Sequence, residues 1–287
     1  MTETAGRTVS ELLEEASRRL RAAHVPDPRR EAVALLALAI GTDRGGVAAS
    51  RPDVAGEAAA GRLDDLLSSR ERRVPLQHLI GVTEFRGLDF EVSPDALIPR
   101  PETEDLVEAV LHASLPTMAR VADLGTGSGC IAVALAVARR SWRVDAVDLS
   151  PEALRVAARN TVRHGVADRV RLTARDFATV PHDECGIYDA VVSNPPYVAE
   201  DEWSGLQPEV RDHEPRIALV PGPTGNEGYE AVVRAAGEML RPAGLLALEL
   251  GWKSEAAVRG IVLRNGFREI AVSADLQGIP RVLTARR

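Results

Sequence analysis

The sequence predicts an α/β protein, a mostly parallel, doubly wound sheet that follows a small helical segment and a β-hairpin. Three observations carry that prediction. After residue 119, short runs of Val, Leu, Ile and Ala alternate with stretches of helical periodicity, an order that places parallel strands between covering helices. The glycine-rich stretch Asp123-Leu124-Gly125-Thr126-Gly127-Ser128-Gly129 sits between one such run and the helical stretch after it. Before residue 75 there are only helix signals.

Taken in order, Thr8-Val9-Ser10-Glu11 matches a capping box, and Leu12, Leu13, Ala16 and Leu20 follow at helical spacing. Asp27-Pro28 starts a second helix with Pro at its first position, and Gly41 closes it. A third helix is expected over 54–72, and Val74-Pro75 ends a helical domain of residues 1–75. Residues 77–92 read as extended pieces around Gly81 and Gly87, so 76–96 is expected to be a hairpin linker. The main domain, 97–287, opens on Ile98-Pro99-Arg100-Pro101-Glu102-Thr103-Glu104 and a helix to about 113. Strands are expected at 121–124, 143–147, 170–173, 188–193, 244–250, 268–273 and 281–285, with helices at 129–139, from Ser150-Pro151, at 228–240 and at 254–265.

Composition narrows the function classes. Residues 1–75 hold twelve basic and twelve acidic residues, so the remaining 23 basic and 30 acidic residues make 76–287 the acidic part. That balance opposes wide contact with a nucleic-acid backbone. Cys130 and Cys185 stand 55 positions apart, and the six histidines are scattered, so neither a disulfide framework nor a metal site is expected. The N-terminus lacks the apolar core of a signal peptide, and no apolar run is long enough for a membrane span. A cytoplasmic, monomeric protein is expected.

The glycine stretch allows a backbone to approach a ligand closely at the carboxyl ends of the strands. Nineteen positions after Gly129, Asp148 ends the next strand, where a carboxylate can accept both hydroxyls of a ribose. A nicotinamide dinucleotide and S-adenosylmethionine both fit such a pair. The G-x-G-x-G spacing, with Asp123 placed to hold an amino group, favours S-adenosylmethionine over the G-x-G-x-x-G of dinucleotide sites.

Ser193-Asn194-Pro195-Pro196-Tyr197-Val198 ends the apolar run Ala190-Val191-Val192. Two prolines cannot continue a central strand. They make a stiff turn, with the Asn194 side-chain oxygen and the Pro195 carbonyl as acceptors, Pro196 fixing the angle between them and Tyr197 offering a ring face. Such a cradle suits a planar –NH2 group, whose conjugated lone pair must be held toward an activated methyl.

With these residues assembled, the chain resembles the peptide-chain release factor glutamine N5-methyltransferases. The resemblance rests on IPRPETE at 98–104, DLGTGSG at 123–129, Asp148, Asp176-Phe177 and NPPY at 194–197, with Glu214-Pro215, Ala218-Leu219 and Leu248-Glu249-Leu250-Gly251-Trp252 as lesser features. It implies a class I methyltransferase (Rossmann-like) domain with an antiparallel last strand, S-adenosylmethionine as cofactor, and the glutamine of the Gly-Gly-Gln loop of class 1 release factors as substrate. It places Asp123, Gly125 and Gly127 at the methionine end of the cofactor, Asp148 at the ribose and Phe177 beside the adenine. It also implies Leu124, Thr126 and Asn194 as further cofactor contacts. Asn194 to Tyr197 would hold the glutamine, with Asn194, Pro195 and Tyr197 as the catalytic set, and the helical domain would contact the release factor.

Three other functions compete. A sibling family methylates a ribosomal-protein glutamine, but its segment reads PRSP where this chain has Pro99-Arg100-Pro101-Glu102. Adenine-N6 methyltransferases share the NPPY-type turn, but the acidic balance opposes them. A non-catalytic S-adenosylmethionine-binding module would not need an intact NPPY. Cys130 and His213 read as structural, residues 209–216 as a solvated loop over the site, and Arg100 as either a contact to a carboxylate of substrate or cofactor or an anchor of the linker.

Overall fold

The structure, a computed structural model, describes residues 6–287; the first five residues of the expected helical domain lie outside the described residues. The chain forms two compact units. One runs to Gly81 and takes in Pro208–His213, and the other comprises Val82–Gln207 and Glu214–Arg287.

In the first unit, α1 (Val9–Ala22) begins at the expected capping box, with Glu11 N donating to Thr8 Oγ1 and Thr8 N donating to Glu11 Oε2 at 2.7 Å. The second helix, α2 (Pro28–Ile40), starts on its proline and stops at Gly41, whose φ of 74° suits a residue without Cβ. A short α3 (Arg44–Ala49) then precedes α4 (Glu57–Glu71), which begins later than the expected third helix. Residues 76–80 form a helix, α5 (Leu76–Ile80), where extended chain was expected. Both α3 and α5 are too short to show a periodicity. Their start signals are local, since the Asp43 carboxylate accepts from Gly46 N (2.7 Å) and Pro75 sets the first turn of α5. Leu12, Leu13, Ala16, Leu20, Leu35, Leu36, Leu63 and Leu67 share one core. Residues 209–216 are not a solvated loop. Pro208–His213 is a helical turn, α9, and the Glu209 carboxylate accepts from Arg70 (2.8 Å) and from two nitrogens of Arg73 (2.7 Å each). The spacing of the run does not show this, because Glu209 and Glu214 are paired with arginines that lie outside it.

The second unit opens with an antiparallel hairpin, β1 (Val82–Phe85) and β2 (Leu88–Glu91). There follow α6 (Thr103–His112), β3 (Arg120–Leu124), α7 (Cys130–Ala138), β4 (Arg143–Asp148), α8 (Pro151–Arg163), β5 (Val170–Ala174) and β6 (Tyr188–Ser193). The unit ends with α10 (Glu227–Met239), β7 (Leu240–Glu249), α11 (Glu255–Arg264), β8 (Arg268–Ala274) and β9 (Pro280–Arg286). The sheet order is β5-β4-β3-β6-β7-β9-β8; β3 to β7 pair in parallel, and β9 runs antiparallel to both its neighbours. The central strands are buried on both faces, which explains their continuous apolar runs. One core lies on the α6–α7 face and another on the α10–α11 face. From β3 the chain builds outward on one side and then, with β6, on the other. That reversal opens a crevice at the carboxyl ends of β3, β4 and β6, where ligands of such sheets bind. Among the described residues no helix is long and apolar enough to cross a membrane.

Candidate active site

The crevice is built from backbone first. Where β3 ends, Gly125 N and Thr126 N both donate to the Val147 carbonyl (2.8 and 3.0 Å), tying the glycine loop to β4. Gly125 and Gly127 have φ of 77° and 56°, values that side-chain-bearing residues rarely adopt. A Cβ at Gly127 would project into open space, and one at Gly125 would lie 3.8 Å from the Phe177 ring. The loop is therefore a cradle that side chains would fill. Asp148 closes it, its Oδ2 accepting from Gly127 N (2.8 Å) and its Oδ1 from Ser150 N (2.9 Å) just before α8. Each oxygen keeps a lone pair for a ligand.

Gly125, Gly127, Asp148, Phe177, Asn194 and Pro196 line a single cleft of about 310 Å³, within the usual size of small-molecule sites, roughly 300–1,000 Å³. Four of its lining side chains are the carboxylates Asp95, Asp148, Asp176 and Glu227, and among the described residues none is Arg or Lys. Such a field favours a cation and opposes a pyrophosphate. The donor set thus fits S-adenosylmethionine, with its sulfonium and ammonium groups, and not a nicotinamide dinucleotide.

The proline turn forms the next wall. Ser193 Oγ donates to the Leu124 carbonyl (2.5 Å), locking the end of β6 beside the start of the glycine loop. Asn194 Nδ2 donates to Thr103 Oγ1 at 3.3 Å. Behind the turn, the Tyr197 ring stacks on Tyr229 with centroids 6.5 Å apart and planes 14° apart. Burial pushes the Tyr197 phenol up to about 12, so it stays neutral near pH 7. Two glycines make room for this packing, since a Cβ on Gly228 would come 2.3 Å from the Pro196 carbonyl oxygen and one on Gly251 2.6 Å from the Tyr197 ring.

The other candidate site residues singled out in the sequence do not line the cleft. Asp123, Leu124 and Thr126 are buried beneath the loop and do not line the cleft. Thr126 Oγ1 donates to Asp123 Oδ2 at 2.6 Å, and loss of hydration pushes the Asp123 carboxyl up to about 7. Pro195 and Tyr197 likewise lie outside the cleft lining, and Cys130 is a buried core residue. Arg100 donates to the buried Glu214 carboxylate at 2.6 Å, which also accepts from Ile98 N. His213 belongs to the helical unit, its ring 3.0 Å from the Arg72 carbonyl. Sequence reasoning assigned nothing to Thr103, Glu249, Gly228 or Gly251. Thr103 and Glu249 stood inside quoted motifs, but no spacing rule connects positions 146 residues apart.

The profile of the PrmC N-terminal domain matches residues 11–81, and that of the methyltransferase small domain matches 102–206. A release factor glutamine methyltransferase of Cereibacter sphaeroides is 43% identical over 96% of this chain and 98% of its own length. Those of Nitratidesulfovibrio vulgaris and Mycobacterium leprae are each 40% identical, over 99% and 96% of this chain and 97% and 95% of their own. Among solved structures, the hMettl16 catalytic domain in complex with the MAT2A 3′UTR hairpin 6 aligns with a TM-score of 0.55 at 19% identity, over 77% of this chain and 81% of that one. A methyltransferase from Pyrococcus furiosus aligns with 0.52 at 20%, over 76% and 98%. At such identities these two structures speak for the fold alone, a methyltransferase fold. Near-complete coverage by relatives at about 40% identity is a statement about the whole chain, which belongs to the release factor glutamine methyltransferase family.

Proposed function

We propose that this protein transfers a methyl group from S-adenosylmethionine to the side-chain amide nitrogen of the glutamine in the Gly-Gly-Gln loop of class 1 peptide-chain release factors. The observation that carries the reading is that Asn194 and Pro196 of the Asn-Pro-Pro-Tyr turn line one acidic cleft together with the Asp148 carboxylate. Family membership supports the substrate.

S-adenosylmethionine, when bound, supplies an electrophilic methyl on a sulfonium centre. Asp148 would receive the ribose hydroxyls, Phe177 would flank the adenine, and Gly125 and Gly127 would let the backbone close on the methionine end. Asn194 Oδ1, at the cleft, would accept one N–H of the glutamine amide, and the Pro195 carbonyl, set back from the cleft lining, would accept the other once the substrate is seated. An amide resists attack because its lone pair is conjugated, as its rotation barrier of about 18–20 kcal/mol attests. Two fixed acceptors orient the nitrogen and stabilise the positive charge growing on it. Orientation of this kind contributes on the order of 7–11 kcal/mol, so no dedicated base is required: the C–S bond breaks to leave S-adenosylhomocysteine as the C–N bond forms, and the acidic methylated nitrogen then loses its proton to water. Tyr197, stacked on Tyr229, keeps the turn rigid behind those acceptors.

We assign residues 1–75 to release-factor recognition, 76–96 to the linker and 97–287 to catalysis, in a cytoplasmic protein. The test uses labelled S-adenosylmethionine with three acceptors: a release factor, its Gln→Ala loop variant and a duplex oligonucleotide. Label in the first alone is expected. Label in the oligonucleotide, or equal label in the Gln→Ala variant, overturns the reading.

A further inference from the structure

Two quoted motifs have no role in the chemistry above, the IPRPETE segment and the LELGW segment, and they meet at Asn194. Thr103, the first residue of α6, and Glu249, the last of β7, are both buried, with 2% and 3% exposure. Thr103 Oγ1 donates to Glu249 Oε2 at 2.6 Å, and the same oxygen accepts from Asn194 Nδ2 at 3.3 Å.

The direction of these bonds matters. An ionised carboxylate accepts and cannot donate, so the Thr103 hydroxyl proton is committed to Glu249. The Thr103 oxygen is then left as an acceptor, and only the –NH2 end of the Asn194 amide satisfies it. A flipped amide would set Asn194 Oδ1 against an oxygen whose proton points elsewhere, and the buried Thr103 oxygen would lose its donor. The Asn194 carbonyl therefore faces the other way. Among the described residues nothing donates to it, and Asn194 lines the cleft.

We propose that Thr103 and Glu249 are positioning residues, which lock the Asn194 amide with its oxygen toward the substrate. The inference rests on the role given to Asn194 above. It explains a carboxylate buried with no cation in hydrogen-bond contact, an arrangement unfavourable for stability alone. Burial pushes Glu249 up to about 7, with the Thr103 bond, Arg281 and Arg100 opposing and Glu102 adding. Assays at about pH 8.5 keep it ionised.

The experiment is a double-mutant cycle on the full chain with release factor as acceptor. Thr103→Val should lower kcat about 10- to 100-fold, the scale set by a misplaced catalytic group, with cofactor Kd by calorimetry unchanged. Thr103→Ser should restore most of it. In an Asn194→Ala background, Thr103→Val should change kcat less than about twofold, because its effect passes through the amide it orients. Glu249→Met supplies a second arm that leaves Thr103 and substrate contacts in place and removes a costly buried charge. It should reproduce the Thr103→Val loss and the same non-additivity. Multiplicative losses in the cycle, or an unchanged kcat in both single variants, overturn the proposal. So does a loss confined to cofactor affinity.

A second readout separates this inference from the functional reading. The side-chain amide protons of Asn194, followed by nitrogen-edited NMR, should exchange slowly in the wild type and faster in Thr103→Val. A protected amide in an enzyme that leaves the release factor unlabelled would sink the substrate assignment and keep the lock. Methylated release factor with unaltered exchange in Thr103→Val would do the reverse.

Discussion

Replacing Asp148 tests the cofactor end of the cleft, and the size of the effect follows from its contacts. Both carboxylate oxygens already accept one backbone N–H, from Gly127 and Ser150. A ribose adds two hydroxyl donors to the remaining lone pairs. Hydrogen bonds to a charged group contribute about 1.5–3 kcal/mol each, and two on one carboxylate are less than additive. Asp148→Ala should therefore cost about 2–4 kcal/mol of binding, roughly 30- to 1,000-fold in Kd at 1.4 kcal/mol per factor of ten. Asp148→Asn should not rescue it. Its –NH2 must face a backbone N–H at either Gly127 or Ser150, a donor opposed to a donor, so the loop loses an anchor. The assay is isothermal calorimetry with S-adenosylmethionine and with S-adenosylhomocysteine, beside turnover at saturating cofactor. Turnover should recover most of its wild-type value once the site is filled. A Kd within about threefold of wild type for Asp148→Ala would refute the assignment of the ribose to this carboxylate.

Three further outcomes are expected. Asn194→Ala should lower kcat by on the order of 10²–10³, as loss of one positioned hydrogen bond does elsewhere, with a smaller change in cofactor Kd; near-normal turnover would remove Asn194 from the chemistry. Gly228→Ala adds a Cβ 2.3 Å from the Pro196 carbonyl oxygen, and backbone must move to admit it. The overpacking cost of typically 1–3 kcal/mol exceeds the gain of about 1 kcal/mol from helix propensity, so the melting temperature and turnover should both fall; an undiminished kcat would show that the turn tolerates displacement. Asp123 is an acid held protonated by burial, at about 7 against an ordinary 3.8. Between those values the native state binds the proton that the unfolded chain has lost, so stability falls as pH rises, and the penalty is complete above about 7. Asp123→Asn removes that penalty, so its stability relative to wild type should rise by on the order of 3–4 kcal/mol between about pH 4 and 8. Urea melts showing the same difference at both pH values would contradict this.

How much of the protein is legible in its sequence can be judged element by element. The capping box at Thr8, Pro28 and Gly41 mark α1 and α2 correctly, because caps depend on neighbours within a turn. The double-buried strands at 120–124 and 188–193 are legible because both faces demand apolar side chains. The helices α3, α5 and α9 are not, since five or six residues hold too few repeats to outweigh their glycines, prolines and charges. Likewise, Glu209 and Glu214 look solvent-facing until Arg70, Arg73 and Arg100 are brought against them from more than a hundred residues away.

The sequence by itself determined the α/β class, the ligand end of the sheet, and the chemistry offered there: a glycine loop, a carboxylate and a proline-braced amide. These are short-range facts, written in consecutive residues whose backbone geometry is set by glycine and proline. Tertiary structure alone decided that Asp123 lies under the loop rather than in the cleft, that the cleft is lined by four carboxylates, and which way Asn194 faces. The last depends on groups brought together across 91 and 146 positions by the order of the strands. A hydrogen bond between Thr103 and Glu249 exists only once β7 has paired beside β6 and α6 has packed against it.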